Sequence, residues 1–253
     1  MSYQNIFQRY EIKYLITRQQ KKRILDEMKQ YMKPDEFGRS TICNIYYDTP
    51  EDLLVRRSLE APVYKEKLRV RSYGCAEADS AVFLELKKKY KGIVYKRRVC
   101  APFTETMQYL QRQQTPDAFQ RNMLSGSPQI IREINYFCQM YQGLAPKVYL
   151  SYDREAFYGS EDHELRITFD ENIRYRQKEL SLCAPVYGTE ILREDQILME
   201  VKIGSAMPLW LAEMLSENQI YKTSFSKYGR AYEMICRSER TKKEKWTGGR
   251  KYA

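Results

Sequence analysis

Two periodicities alternate along this chain. Runs in which every second residue is apolar, as on a half-buried strand, are separated by stretches with the three- and four-residue spacing of a helix face. Strand-like runs cover Phe7–Leu15, Thr41–Tyr47, Tyr64–Tyr73, Ala81–Tyr90, Ile93–Val99, Lys147–Asp153, Leu165–Asp170 and Gln196–Ile203, with shorter pieces near Arg154 and Arg174. They are rich in tyrosine and β-branched residues, and Lys91-Gly92 predicts a tight hairpin between two of them. Helical spacing covers Thr17–Tyr31, where Thr17 and Gln20 make a capping box. A second helix is expected to start at Thr49-Pro50-Glu51-Asp52, with a cap, a proline and acids in its first turn. Helical spacing returns over Pro102–Tyr141, broken at Thr115-Pro116 and at Ser125-Gly126-Ser127-Pro128, and over Pro208–Cys236, broken around Lys222 to Ser224. About eight strands interspersed with helices predict an α+β fold, an eight-stranded antiparallel β-barrel closed on itself and flanked by helices.

Strand parity then sorts the charges. Lys65, Lys67, Arg69 and Arg71 share one face of their strand, opposite Leu68 and Val70. Arg9, Glu11 and Lys13 oppose Tyr10, Ile12 and Tyr14, and Glu85, Lys87 and Lys89 oppose Val82, Leu84 and Leu86. Lys96 pairs with Arg98, Arg166 with Thr168 and Asp170, and Glu200 with Lys202. Each strand alone could simply wet one face, as antiparallel sheets do. As a set they differ from a mixed solvated surface, because Lys and Arg dominate and isolated carboxylates recur as Glu-x-Lys. If the helices cover the apolar faces, the charged faces point into the barrel. Such a lumen suits a polyanion, with Arg and Lys on phosphate oxygens and sparse carboxylates on a divalent cation. The chemistry implied is phosphoryl transfer, which needs positioning and charge neutralisation more than a protein nucleophile.

Composition narrows the alternatives. The net charge is +10, and the single histidine, His163, disfavours a Ser/His/Asp triad or a multi-histidine metal centre. Six cysteines without a Cys-x-x-Cys pair support neither zinc nor a redox motif and are expected to be reduced. No P-loop occurs, no apolar run is long enough to span a membrane, and the first residues lack a secretory pattern, so a cytoplasmic protein is expected. One domain is expected over residues 1–236, with 237–253 as a basic, mobile tail.

The chain also resembles a known family. Arg9-Tyr10-Glu11-Ile12-Lys13-Tyr14, Lys67-Leu68-Arg69-Val70-Arg71-Ser72-Tyr73-Gly74, Phe83-Leu84-Glu85-Leu86-Lys87 and Tyr95-Lys96-Arg97-Arg98 carry the likeness. It continues through Tyr152-Asp153-Arg154, Leu165-Arg166-Ile167, Leu198-Met199-Glu200-Val201-Lys202 and Ser226-Lys227-Tyr228. In this order they resemble the vacuolar transporter chaperone (polyphosphate polymerase) domain of the triphosphate tunnel metalloenzyme superfamily. The resemblance implies transfer of the γ-phosphoryl of ATP to inorganic polyphosphate with Mn²⁺ or Mg²⁺, and no nucleic-acid partner. It implies Arg69, Arg71, Lys87, Lys96, Arg154 and Arg166 as catalytic groups and Lys13, Lys202 and Lys227 as phosphate contacts; strand parity adds Lys67 and Arg98, and Tyr152 is the tyrosine expected to touch phosphate. Glu200 is the implied main metal ligand, with Glu11 and Glu85 as further metal ligands or internal counter-ions. Arg154 and Lys227 rest on the resemblance alone. Arg9 stands where hydrolytic relatives carry the first Glu of Glu-x-Glu-x-Lys, which disfavours a tripolyphosphate or nucleoside triphosphate hydrolase. A non-catalytic polyphosphate-binding module is the remaining alternative. Coupling of synthesis to translocation would need a separate membrane partner.

Overall fold

The computed structural model of the chain describes residues 10–112, 115–204 and 206–248, with side chains up to residue 241. Its elements are β1 (Tyr10–Thr17), α1 (Arg18–Met28), β2 (Met32–Asp48), α2 (Leu53–Leu59), β3 (Tyr64–Tyr73), β4 (Ala81–Tyr90), β5 (Ile93–Pro102), α3 (Phe103–Leu110), α4 (Pro116–Arg121), α5 (Pro128–Met140), β6 (Ala145–Gly159), β7 (Arg166–Arg176), β8 (Thr189–Glu190), β9 (Gln196–Ile203), α6 (Leu209–Glu217) and α7 (Lys227–Gly248).

Eight strands follow one another in the order β1-β9-β7-β6-β2-β3-β4-β5, every pair antiparallel, and the short β8 adds to β7 as a ninth. The sheet curls until its first strand meets β4, where Lys87 Nζ lies 3.1 Å from Glu11 Oε2. This is a barrel-like tunnel fold whose ladder stops short of closure: among the described residues no backbone pairing joins β1 to β5. Other segments cover parts of the two edges. Thr223 N donates to Lys13 O beside a Tyr14–Lys222 bridge on β1, and Ser125 bridges Cys100 on β5. Covered edges no longer offer a template for another strand.

Local chemistry explains most boundaries. Thr17 accepts from Gln20 N while Gln20 bonds back to Thr17 N, so the expected capping box starts α1. Lys91 and Gly92 both have positive φ, as a two-residue hairpin between β4 and β5 requires. The expected helix start at Thr49-Pro50 is displaced: α2 begins at Leu53, after Asp52 in a left-handed conformation. Thr49 Oγ1 still accepts from Leu53 N, and the buried Asp48 carboxylate adds bonds from Leu54 N and Val55 N, and from the Tyr228 hydroxyl. α7 runs through Gly248, well into the stretch expected to be a mobile tail; residues 249–253 lie outside the described residues.

Three apolar clusters set the layers. One lies outside β2–β5 under α3, α4 and α5, with Leu68, Leu84, Phe119 and Ile134 at its centre. A second joins Ile167, Met199 and Val201 to Ile24 of α1 and Leu211 of α6. The third is inside the barrel, where Leu150, Tyr175 and Leu198 pack on Tyr228, Ala231 and Ile235 of α7. Burying each such aliphatic side chain stabilises the fold by roughly 1.5–3 kcal/mol. The first turns of α7 therefore fill one end of the lumen with apolar groups and leave the rest to charge.

Candidate functional site: the charged lumen

Register brings the charged faces together. Lys13 lies opposite Glu200, Glu11 opposite Lys202, Arg154 opposite Asp170, Arg69 opposite Glu85 and Asn44 opposite Arg71. Helices cover the other faces, so these pairs line the inside.

On the wall formed by β6, β7, β9 and β1, every carboxylate is occupied. Glu200, 5% exposed, receives Lys227 Nζ at 2.9 Å and Arg154 Nη2 at 3.1 Å, with Lys13 Nζ at 3.5 Å. Asp170 is fully buried and takes a two-pronged bond from Arg154, at 2.6 and 2.7 Å, and an ion pair with Lys227. Lys13 reaches Glu11 at 3.3 Å and donates to the Phe225 carbonyl. Burial alone would raise the Glu200 pKa, but Lys227, Lys13 and Arg154 hold it well below the carboxylate range. Lys202 differs: it has no carboxylate oxygen within 4 Å among the described residues, and burial takes its pKa down to about 8.

The wall formed by β3, β4 and β5 is poorer in acid. Glu85, 1% exposed, lies 2.6 Å from Arg69, 2.5 Å from Lys96 and 3.9 Å from Arg71. Burial opposes its charge, and those three cations override burial and hold the carboxyl well below its usual range. Arg71 donates to Asn44 Oδ1 at 3.0 Å and to the Tyr152 hydroxyl at 3.1 Å. Burial pushes the Tyr152 phenol up, yet Arg71, Arg154 and Lys227 bring it below the ordinary tyrosine value. Lys67 donates to Ser226 Oγ at 2.8 Å and, among the described residues, has no carboxylate within 4 Å. Burial, with Lys13, Lys87, Lys65 and Arg69 around it, holds its pKa well below that of a free lysine.

Most of the expected residues thus converge: Lys13, Lys67, Arg69, Arg71, Lys87, Lys96, Tyr152, Arg154, Lys202 and Lys227, with Glu11, Glu85 and Glu200. Two do not join this set. Arg166 is 44% exposed in its side chain and pairs with Asp35 at 2.7 Å. Arg98 is exposed, its guanidinium over the Phe83 ring at 5.0 Å. Arg9 lies outside the described residues. Two lumen residues escaped expectation as site members, Asp170 and Asn44, although parity with Arg166 and with Tyr46 places them on the inner face.

This is the architecture of the triphosphate tunnel proteins. A candidate adenylate cyclase from Bacillus halodurans shares it with a TM-score of 0.54 at 15% identity, over 88% of this chain and 95% of that one. A candidate adenylyl cyclase from Hippeastrum, described as having a dominant triphosphatase activity, matches with a TM-score of 0.51 at 15% identity, over 87% and 93%. No curated protein matches by sequence. The VTC domain family matches residues 8–236, and the chain belongs to that family.

The tunnel metalloenzyme fold implies a divalent metal. The chain's own donors do not form a metal cage, since no three His, Cys, Asp or Glu side chains converge among the described residues. They fit an ion that takes several ligands from phosphate. The Thr168 hydroxyl, buried opposite Glu200 and without a hydrogen-bond partner, is a polar contact left over on the same wall. No helix among the described residues is long and apolar enough to cross a membrane.

Proposed function

We propose that this chain is a polyphosphate polymerase that moves the γ-phosphoryl of ATP onto a growing inorganic polyphosphate chain inside the lumen. The observation that carries the reading is the excess of lumen cations. Among the described residues Lys13, Lys67, Arg69, Arg71, Lys87, Lys96, Arg154, Lys202 and Lys227 share the lumen with the carboxylates Glu11, Glu85, Asp170 and Glu200, and neither Lys67 nor Lys202 has a carboxylate within 4 Å. Buried like charges are costly unless an anion is bound. A phosphate chain supplies closely spaced charge in the line the strands define.

In this reading a terminal phosphate oxygen of the chain attacks the γ-phosphorus, and the bond to the β-phosphate oxygen breaks to release ADP. Arg69, Arg71 and Lys96 neutralise charge on the transferring group, and Glu85 holds all three in place. Lys13, Lys67, Lys87 and Lys202 bind the flanking phosphates, and Arg154 and Lys227 fix Glu200. Mn²⁺ or Mg²⁺, when bound, would be held by Glu200 with Glu11 and would neutralise phosphate oxygens.

A second reading is hydrolysis of triphosphates in the same lumen, favoured by the triphosphatase activity described for the Hippeastrum protein of like fold. Incubation of purified protein with ATP and Mn²⁺, followed by gel analysis, separates the two. Polymer that disappears on exopolyphosphatase treatment is expected; free phosphate without polymer would establish the hydrolase.

A further inference from the structure

We infer that Cys75 and Cys183 are a modification site: a thiol pair that takes an intramolecular disulfide across the outer wall of the barrel. It does not depend on the function proposed above.

All six thiols are free in the structure, and Cys75 and Cys183 are the two exposed ones. Cys75 lies in the turn from β3 to β4 and Cys183 in the loop from β7 to β8, far apart in sequence. The folded chain brings them side by side. Ala76 N donates to Leu182 O at 2.9 Å, and the Cys75 thiol reaches the Ala184 carbonyl at 3.5 Å. Cys75 and Cys183 each adjoin a residue of that backbone bond, at exposed positions of the two touching segments. A disulfide needs Cα atoms within roughly 4.4–6.8 Å of each other, a reach that residues flanking a direct backbone hydrogen bond can meet.

The two segments are held in this place by packing. Leu182 and Ala76 are both buried in the cluster outside β2 and β6, with Cys43 and Tyr149. Arg176 stacks on Tyr149, with its guanidinium 3.4 Å from the ring centroid, and donates to the carbonyls of Glu179, Ser181, Pro185 and Tyr187. The β7–β8 loop is thereby folded back over β6 and β2 to the end of β3. A bond there would straddle the two middle strands of the wall that carries Asn44, Tyr152 and Arg154. The remaining thiols are less suited: Cys43 and Cys100 are buried, and Cys138 and Cys236 are half-buried.

The reaction balances as thiol–disulfide exchange with a low-molecular-weight disulfide. One thiolate attacks the small disulfide and expels one thiol. The second protein thiolate then displaces the other, leaving Cys75–Cys183 and two small thiols.

The test is titration of the full chain with oxidised glutathione, followed by alkylation of remaining thiols and non-reducing peptide mass mapping. A peptide linking Cys75 to Cys183, with loss of two alkylated sites, is expected. The link closes a loop of about a hundred residues, so Tm should rise by on the order of 5 °C and fall back with dithiothreitol. Cys75→Ser and Cys183→Ser should each abolish the linked peptide and the Tm rise. A link from Cys75 to Cys43, glutathione adducts at both sites without a link, or unreacted thiols would each overturn the inference.

Discussion

The two walls of the lumen are built from the same strand pattern and carry different charge. Around β6, β7, β9 and β1, three carboxylates (Glu11, Asp170 and Glu200) are shared among Lys13, Arg154 and Lys227 at ion-pair distance. On β3, β4 and β5, the single inner carboxylate Glu85 serves Arg69, Arg71 and Lys96, with Lys67 and Lys87 beside it. The first wall is nearly self-neutral; the second keeps a surplus of positive charge. Folding therefore leaves a polarised lumen, in which an anion gains most by lying against β3–β5 and a cation gains most beside Glu200. That asymmetry favours placing the phosphates on one wall and the metal on the other.

The largest break in this comparison should come from Arg71→Ala. Arg71 is buried, bonded directly to the neutral Asn44 and Tyr152 and 3.9 Å from Glu85, so its removal leaves the wall without the guanidinium that is least tightly paired. A loss of ~10²–10³ in kcat is expected, with the fold retained. Wild-type turnover would remove phosphates from that wall. Glu85→Gln and Glu200→Gln then separate the walls. Glu85→Gln strands Arg69 and Lys96 and should lower stability by about 3 kcal/mol, read by urea unfolding, with the metal requirement unchanged. Glu200→Gln should raise the Mn²⁺ concentration for half-maximal activity by at least ~10-fold. Equal metal shifts in both variants would contradict the division.

Much of this lumen was legible from strand parity, because a period of two leaves no freedom over which residues share a face. Lys67, Arg69, Arg71, Lys87, Glu200 and Lys202 all lie inside as that period required. What escaped has physical causes. Residues 33–38, Lys-Pro-Asp-Glu-Phe-Gly, have turn-like composition, yet they belong to β2, where a register shift between Pro34 and Arg39 absorbs them. A second irregularity, between Ser151 and Asp153, hid the continuity of β6 and the facing of Asp170 toward Arg154. The end of α7 lacks an apolar stripe, but Lys, Arg and Glu are strong helix formers and need none to continue a helix already anchored by Tyr228 and Ala231. The recurring lumen carboxylates are paired with cations, so ion pairs hold the arginines in place before any ligand arrives.

A smaller effect concerns the lysines without carboxylates. Lys67→Met removes a charge that burial and its lysine neighbours disfavour. The ligand-free protein should melt a few degrees higher, and tripolyphosphate affinity, measured by calorimetry, should fall by about tenfold. A variant that is neither more stable nor weaker in binding would place Lys67 outside the phosphate path. Lys202 makes the same point through pH. Its pKa of about 8 in the fold lies below its unfolded value, so between about pH 8 and 10 the unfolded chain binds more protons and this lysine's contribution to stability rises with pH. Phosphate binding runs the other way, weakening as Lys202 loses its proton above pH 8. Lys202→Arg should flatten both slopes.

The smallest effects should come from Arg166 and Arg98, although strand parity groups both with the lumen residues. Arg166 is tied to Asp35 at the rim and Arg98 lies over Phe83, both open to solvent, where screening weakens their pull on a phosphate. Arg166→Ala and Arg98→Ala should each change kcat/KM by less than about threefold at 150 mM salt, with a larger loss at low ionic strength where rim charges steer an anion toward the opening. A loss as deep as that of Arg71→Ala at both salt concentrations would mean that the rim closes on the bound chain. The working lumen would then extend past the polarised walls to include Asp35 and Arg166.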